Sequence, residues 1–294
     1  MIRLLKAETF KLFRNKTFVV LCIVALGLGI FNIGMTKLIS SEDFIRKSMA
    51  SMTEEEKDAT IEQLKLATED AEIVTPGKLG VSFQGKDMFN PKTKEVFHSG
   101  FGIGLIEILI VILIGGIVAK EYSTGTIKNM LAYGKRRRDY YLAKFLAASL
   151  GGAILLAIMV FSNLIISLFI FPWGEDFNFL EFLHILKTYG AGVIVVMAMV
   201  SLIMFLATLL KSNGATIGAG IGIFVLTPTI ISLLYGKYDW FDKIYESTVS
   251  YNYVLATAIK ASNGDIIKSM IISIITIIIS LFLGIILLNK QDIK

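Results

Sequence analysis

Cysteine occurs once in this 294-residue chain, histidine twice and proline four times, and only 18% of the residues are charged. A single thiol, Cys22, excludes any intrachain disulfide; set in an apolar stretch, it reads as a small packing residue. His98 and His184 are the only imidazoles, and no His/Glu pair has zinc spacing, so the sequence offers no metal-ligand pattern. Both histidines precede apolar runs and read as solvated loop residues. The scarcity of charge excludes a soluble protein, whose surface at this length would need far more.

What is present in quantity is apolar: 54% of the residues are hydrophobic and the mean hydropathy is +0.69. A bilayer core of about 30 Å needs roughly 20 apolar residues per helical span. Segments 17–39, 100–119, 145–171, 186–210, 214–235 and 269–288 meet that length. The expected fold is therefore all-α, a single polytopic domain of six membrane helices covering 1–294. The net charge of +5 is distributed as in a membrane protein rather than a nucleic-acid binder. Basic residues crowd 1–16 and 120–144, while the 172–185 loop holds Glu175, Asp176 and Glu181 with no Lys or Arg. This asymmetry places both basic segments, and with six spans both termini, in the cytoplasm of a cell with its plasma membrane as host.

Residues 1–16 have a long basic lead-in and a face of Ile2, Leu5, Thr9, Leu12 and Phe13, which predicts an uncleaved interfacial elbow helix rather than a signal peptide. Residues 40–99 form the longest polar stretch, expected outside the cell. Its acidic part predicts a helix capped by Thr53 with Glu56 three residues on. Residues 236–268, rich in Tyr with Trp240, predict short interfacial segments on the same outer side.

Enzymatic readings fail one by one. GVSFQGKD (80–87) has the GxxxxGK part of a phosphate loop but carries Asp87 where a Ser or Thr should follow Lys86. Asp239 and Asp265 lie in the outer stretch, so no pair of carboxylates meets inside the membrane as an aspartyl protease needs. The chain itself is expected to have no catalytic, cofactor or metal residues. KRRR (135–138) beside a span reads as orientation and lipid contact rather than a nucleic-acid patch.

Polar residues within spans are costly and mark paths or partners. Glu107, Asn32 and Asn163 are of this kind, and Thr227 and Thr229 flank Pro228, which predicts a kink in the fifth span. Gly214, Gly218 and Gly222 recur every fourth residue, a surface for close helix packing, either within the chain or against a second copy.

Between the second and third spans runs KEYSTGTIKNMLAYGKRRRDYYLAKF (120–145). Ser123 or Thr124 is expected to cap a two-turn helix that ends at Gly134, with Ile127, Met130 and Leu131 on one face. A helix so short needs a groove to hold it. With Glu121, Gly125-Thr126, the apolar Ile127–Leu131 segment, Arg136–Arg138 and Lys144, this loop resembles that of the permease subunit of type-2 class ABC exporters, among them bacterial peptide-export and bacteriocin-resistance permeases. The resemblance implies that Glu121, Gly125, Thr126, Ile127, Met130, Leu131 and Arg136 form a coupling helix on a separate ATPase chain, which binds ATP and Mg. It implies two ATPase copies, a second permease copy (homodimer or sibling), and a substrate path between the permeases. That path would be lined by the second and fifth spans and would carry a hydrophobic or amphipathic substrate outward, with an antimicrobial peptide or peptide toxin expected. The rival readings are a non-transporting scaffold or immunity protein, an intramembrane enzyme and an ion-coupled carrier.

Overall fold

The computed structural model describes residues 1–69, 85, 87–102, 104–127, 136–174, 178–231 and 233–291. Among them every regular element is helical. Helices α1 (Ile2–Arg14) and α2 (Lys16–Ile39) meet at Asn15, whose side chain accepts the Thr17 backbone N–H at 2.8 Å and caps α2. The polar stretch that follows holds α3 (Glu42–Ser48), α4 (Glu54–Glu69) and α5 (Thr93–Ser99). The capping box that opens α4 is formed: Glu56 accepts the Thr53 N–H at 2.9 Å, and Thr53 Oγ1 accepts the Glu56 N–H at 3.4 Å.

Helix α6 (Leu105–Ile114) passes through one π turn, Gly115–Ala119, into α7 (Lys120–Ser123). Two long helices follow, α8 (Arg137–Ile170) and α9 (Phe179–Leu210). Helix α10 (Asn213–Ile221) likewise runs through a π turn, Gly222–Leu226, into α11 (Thr227–Ile231). The chain then forms α12 (Asp239–Glu246), α13 (Val249–Thr257) and α14 (Asn263–Lys290).

Among the described residues, five helical rods are long and apolar enough to cross a membrane: α2, α8, α9, α10–α11 and α14. Their outward faces remain apolar, as with Phe169, 87% exposed, and Phe282, 63% exposed, which a bilayer and not water would tolerate as a surface. The expected second span, 100–119, begins later as a helix. Gly104 takes φ 82°, a left-handed conformation that starts α6 only at Leu105, and the π turn interrupts it at Gly115. Helix α8 has 34 residues, about 50 Å at 1.5 Å per residue, longer than a bilayer core, so it has turns to spare beyond the apolar layer.

A helix forms where the elbow is expected, and it packs on the protein mainly through residues outside the apolar stripe. Leu4, Glu8 and Leu12 are buried, whereas Ile2 is 74% and Phe13 53% exposed. An interfacial helix has two apolar partners, protein and lipid. The stripe seen in the sequence, apart from Leu12, is the one left for lipid.

Asn32 and Asn163, expected on a path, instead bond each other. Asn32 Nδ2 donates to Asn163 Oδ1 at 2.8 Å and to Ser99 Oγ at 3.3 Å, and Asn163 Nδ2 donates to the Met159 carbonyl at 2.8 Å. Both are buried. The knot ties α2 to α8 and to the end of α5, at a crossing where Gly29 lets the backbones approach: a Cβ there would lie 3.1 Å from the Met159 carbonyl. Replacing Asn163 by Leu removes the main partner of the buried Asn32 amide. It should cost about 1–3 kcal/mol, measurable as a fall in unfolding temperature of the purified protein in detergent.

Candidate functional site

Both basic segments of the sequence lie at one end of the bundle, and four of their charges close into a ring there. Helix α1 carries Glu8 and Lys11 one turn apart; α7 carries Glu121; α8 carries Lys144 two turns from its start. Glu8 bonds Lys11 at 2.7 Å through one carboxylate oxygen and Lys144 at 2.6 Å through the other. Lys144 reaches Glu121 Oε1 at 2.7 Å, and Lys11 completes the circuit to the same oxygen at 3.4 Å. Tyr140, one turn before Lys144, donates its hydroxyl to Glu121 Oε2 at 2.5 Å. Two cations and two anions alternate, so the ring is neutral.

Lys144 and Glu8 are buried, at 5% and 2% side-chain exposure. Taking such groups out of water costs several kcal/mol per ion, and only near-ideal pairing offsets it. The ring therefore fixes α1, α7 and α8 relative to one another, because any displacement leaves a charge unpaired. Burial pushes the Glu121 carboxyl up, but Lys144, Tyr140 and Lys11 outweigh it and hold it below its ordinary value. Burial likewise opposes the charge on Lys11, and Glu8 and Glu121 outweigh it, raising its pKa. Beside the ring lies a cleft of about 380 Å³ that Glu8, Lys11, Glu121, Thr126 and Lys144 help to line.

Past the ring, Thr126 and Ile127 are helical, and the rest of the helix expected after Ser123 or Thr124 lies outside the described residues. The Ser123 and Thr124 hydroxyls donate back to the Lys120 carbonyl at 3.0 and 2.8 Å and finish α7. Gly125 then takes φ 71°, the left-handed step that ends a helix, and Thr126 Oγ1 bonds Thr124 Oγ1 at 2.8 Å. Ile127, expected on an outward docking face, is 3% exposed and packs into the protein's own core. Met130 and Leu131 lie outside the described residues. Arg136 is the N-cap residue of α8 and is exposed, without a side-chain capping bond. Asp139 sits in the first turn of that helix. Within the KRRR cluster, Arg137 caps α14: its guanidinium donates to the carbonyls of Leu288 at 2.7 Å, Asn289 at 3.1 Å and Gln291 at 2.8 Å.

The rods of the expected second and fifth spans, α6–α7 and α10–α11 (the second and fifth rods below), are neighbours, and glycines set how closely. A Cβ on Gly115 would fall 2.6 Å from Ile217, and one on Gly220 2.7 Å from Val111. Gly214, Gly218 and Gly222 point elsewhere, and a Cβ on any of them would meet nothing within 4 Å. Glu107 stands in the first turn of α6 and is buried, with Oε2 lacking a hydrogen-bond partner among the described residues. Thr227 and Thr229 are exposed, and their hydroxyls donate to Gly222 O at 2.8 Å and Val225 O at 3.0 Å of their own rod. The distortion expected at Pro228 thus begins a turn earlier, in the π segment.

Sequence reasoning had Glu121 and Lys144 but not their partners. Glu8 is the sole acid in residues 1–16 and stands at four-residue spacing between Leu4 and Leu12. That register was the signal.

Fold and site together define a multi-pass helical membrane protein with a rigid charged platform at one end. Residues 4–293 match the family described as ABC-2 family transporter protein, and the chain belongs to that family. Proteins of that family are membrane transport components and are not themselves the ATPase. An uncharacterized protein of Bacillus subtilis strain 168, YhcI, is 22% identical over 203 residues, 64% of this chain and 65% of that protein.

Lys144→Met leaves Glu8 buried without its main partner. It should destabilise the protein by about 3–5 kcal/mol, and adding Glu8→Gln should restore a large part; a double-mutant cycle of unfolding temperatures measures the coupling. For pH the signs are opposite at the two ends. The stabilisation from Glu121 is present above the ordinary carboxylate value of 4.5 and is lost as pH falls through the folded value. That from Lys11 is present below 10.5 and is lost as pH rises through its raised value. The stability gap between wild type and Glu121→Gln should hold through neutral pH and close in acid.

Proposed function

We propose that this chain is the permease of an ATP-driven exporter, working as a pair of permeases with two copies of a cytoplasmic ATPase that binds ATP and Mg. The chain has six spans, with the α6–α7 rod as the second and both termini in the cytoplasm. The observation that carries the reading is the ion ring. It holds the stem of the 120–136 loop against the elbow helix and the third span, so that a push on the loop moves three helices as one body. A coupling helix needs such a mount; a loop on a soft hinge would dissipate the push. Gly125, Thr126 and Arg136 lie within this stem and its return, and Met130 and Leu131 supply the face offered to the ATPase.

The path runs between the two permeases along the second and fifth rods. Two features support it. The Gly214, Gly218, Gly222 face has no neighbour within the chain and suits close approach of a second copy. Each of these two rods carries a π turn, a local weakness in the hydrogen-bond ladder that favours bending at functional sites. Glu107, Thr227 and Thr229 belong to these rods as well, whereas Asn32 and Asn163 bond each other between α2 and α8.

The substrate is a hydrophobic or amphipathic peptide, cationic in charge. The support is α4, whose first turn presents Glu54, Glu55 and Glu56 to solvent on the outer side where the substrate leaves. Arg46 offsets part of this charge through Glu42, Glu54 and Asp58.

Leu131→Arg should leave membrane insertion intact and abolish co-purification of an ATPase from native membranes in mild detergent. Wild-type protein should bring down an ATPase near one-to-one. Wild type emerging alone in several detergents, or export surviving in the variant, would sink the coupling role.

A further inference from the structure

His98 and His184, expected as solvated loop residues, both lie on helices, and their rings come together. His98, on α5, is fully buried, and its ring centroid lies 5.5 Å from that of His184 on α9. The Nε2 atoms of both rings are out of contact with solvent and have no hydrogen-bond partner among the described residues.

The tautomer of His98 follows from its other nitrogen. Nδ1 lies 2.7 Å from the Thr257 carbonyl on α13, and since a carbonyl only accepts, Nδ1 carries the proton. A neutral ring with its proton on Nδ1 has a bare lone pair on Nε2. A backbone carbonyl that fixes a ring in this way is what metal-binding imidazoles ordinarily have behind them. The spacing agrees as well: two imidazoles on one tetrahedral cation at about 2.0–2.1 Å place their ring centroids roughly 5–5.5 Å apart.

We propose that His98 and His184 together bind one divalent transition-metal cation of the zinc class, with water completing its coordination. Among the described residues no group of three His, Cys, Asp or Glu side chains is gathered tightly enough to enclose a metal, so the site is open rather than sealed. Thr188, one turn beyond His184 on the same helix face, has a buried hydroxyl without a partner and can hold one of the coordinating waters. Lys94 lies near both rings, and its charge is offset by Glu181 at 2.9 Å. A bound cation would join α5 to α9 at the end of the bundle opposite the ion ring. Nothing in this depends on the coupling loop, so the metal site stands or falls apart from the transport reading.

The test uses the full chain in nanodiscs, purified through a histidine-free tag, stripped with chelator and titrated with Zn²⁺ against a fluorescent zinc indicator. Wild type should bind one equivalent and gain thermal stability. His184→Gln, whose ring is partly exposed and whose fold is checked by its unfolding temperature without metal, should bind at least about tenfold more weakly and lose the gain. Mg²⁺ should not substitute. His98→Gln should behave like His184→Gln; if it does not fold, the comparison with His184→Gln decides alone. Wild type without a zinc-dependent shift, or equal binding by His184→Gln, would overturn the proposal and leave a bridging water as what the two nitrogens hold.

Discussion

A lysine ammonium with 5% of its side chain exposed cannot stand at the edge of an apolar bundle without carboxylates against it. Lys144 has two, one from the elbow helix and one from the segment leaving the second rod. Its position dictates where both of those elements go. Glu8 must turn inward although α1 otherwise offers apolar side chains to lipid, and α7 must continue the line of α6 far enough for Glu121 to arrive. Lys11 and Tyr140 then take up what remains of the carboxylate oxygens. The strength of this arrangement is less in the net energy of the pairs, which desolvation largely cancels, than in the penalty for any geometry that separates them.

That rigidity contrasts with the second and fifth rods. There the backbone ladder slips by one residue in each, at Gly115–Ala119 and Gly222–Leu226, and small residues bring the two rods close together. In the proposed exporter, a stiff mount at the basic end and two compliant helices leading away from it would form a mechanical sequence: push received, push transmitted, helices bent. At the opposite end the packing is again specific, with Tyr253 donating its hydroxyl to the Phe101 carbonyl at 2.7 Å beside the histidine pair. Stiffness at both ends and compliance between them is a sound division for a protein that must change shape without coming apart.

The hydrophobic runs were legible from the sequence because the bilayer imposes a length and a composition that no tertiary contact can override. The elbow helix, the capping box at Thr53 and the family resemblance in the 121–144 loop were legible for similar local reasons. The second span was the weakest of these readings, since the hydropathy that announces a span says nothing about a left-handed Gly104 or a π turn inside it. The face of α1 that packs on the protein was not legible, because periodicity shows where apolar residues lie, not whether lipid or protein covers them.

What the sequence by itself determined, then, is the class: an all-helical membrane protein with its basic loops on one side, because charge and hydropathy act residue by residue. Which polar groups meet was decided only by the tertiary structure. Asn32 finds Asn163, Lys144 finds Glu8 and His98 finds His184 across separations of 131, 136 and 86 residues. Each pair joins different helices, and pairings of that kind are fixed by how the helices pack, on which the linear spacing of residues carries no information.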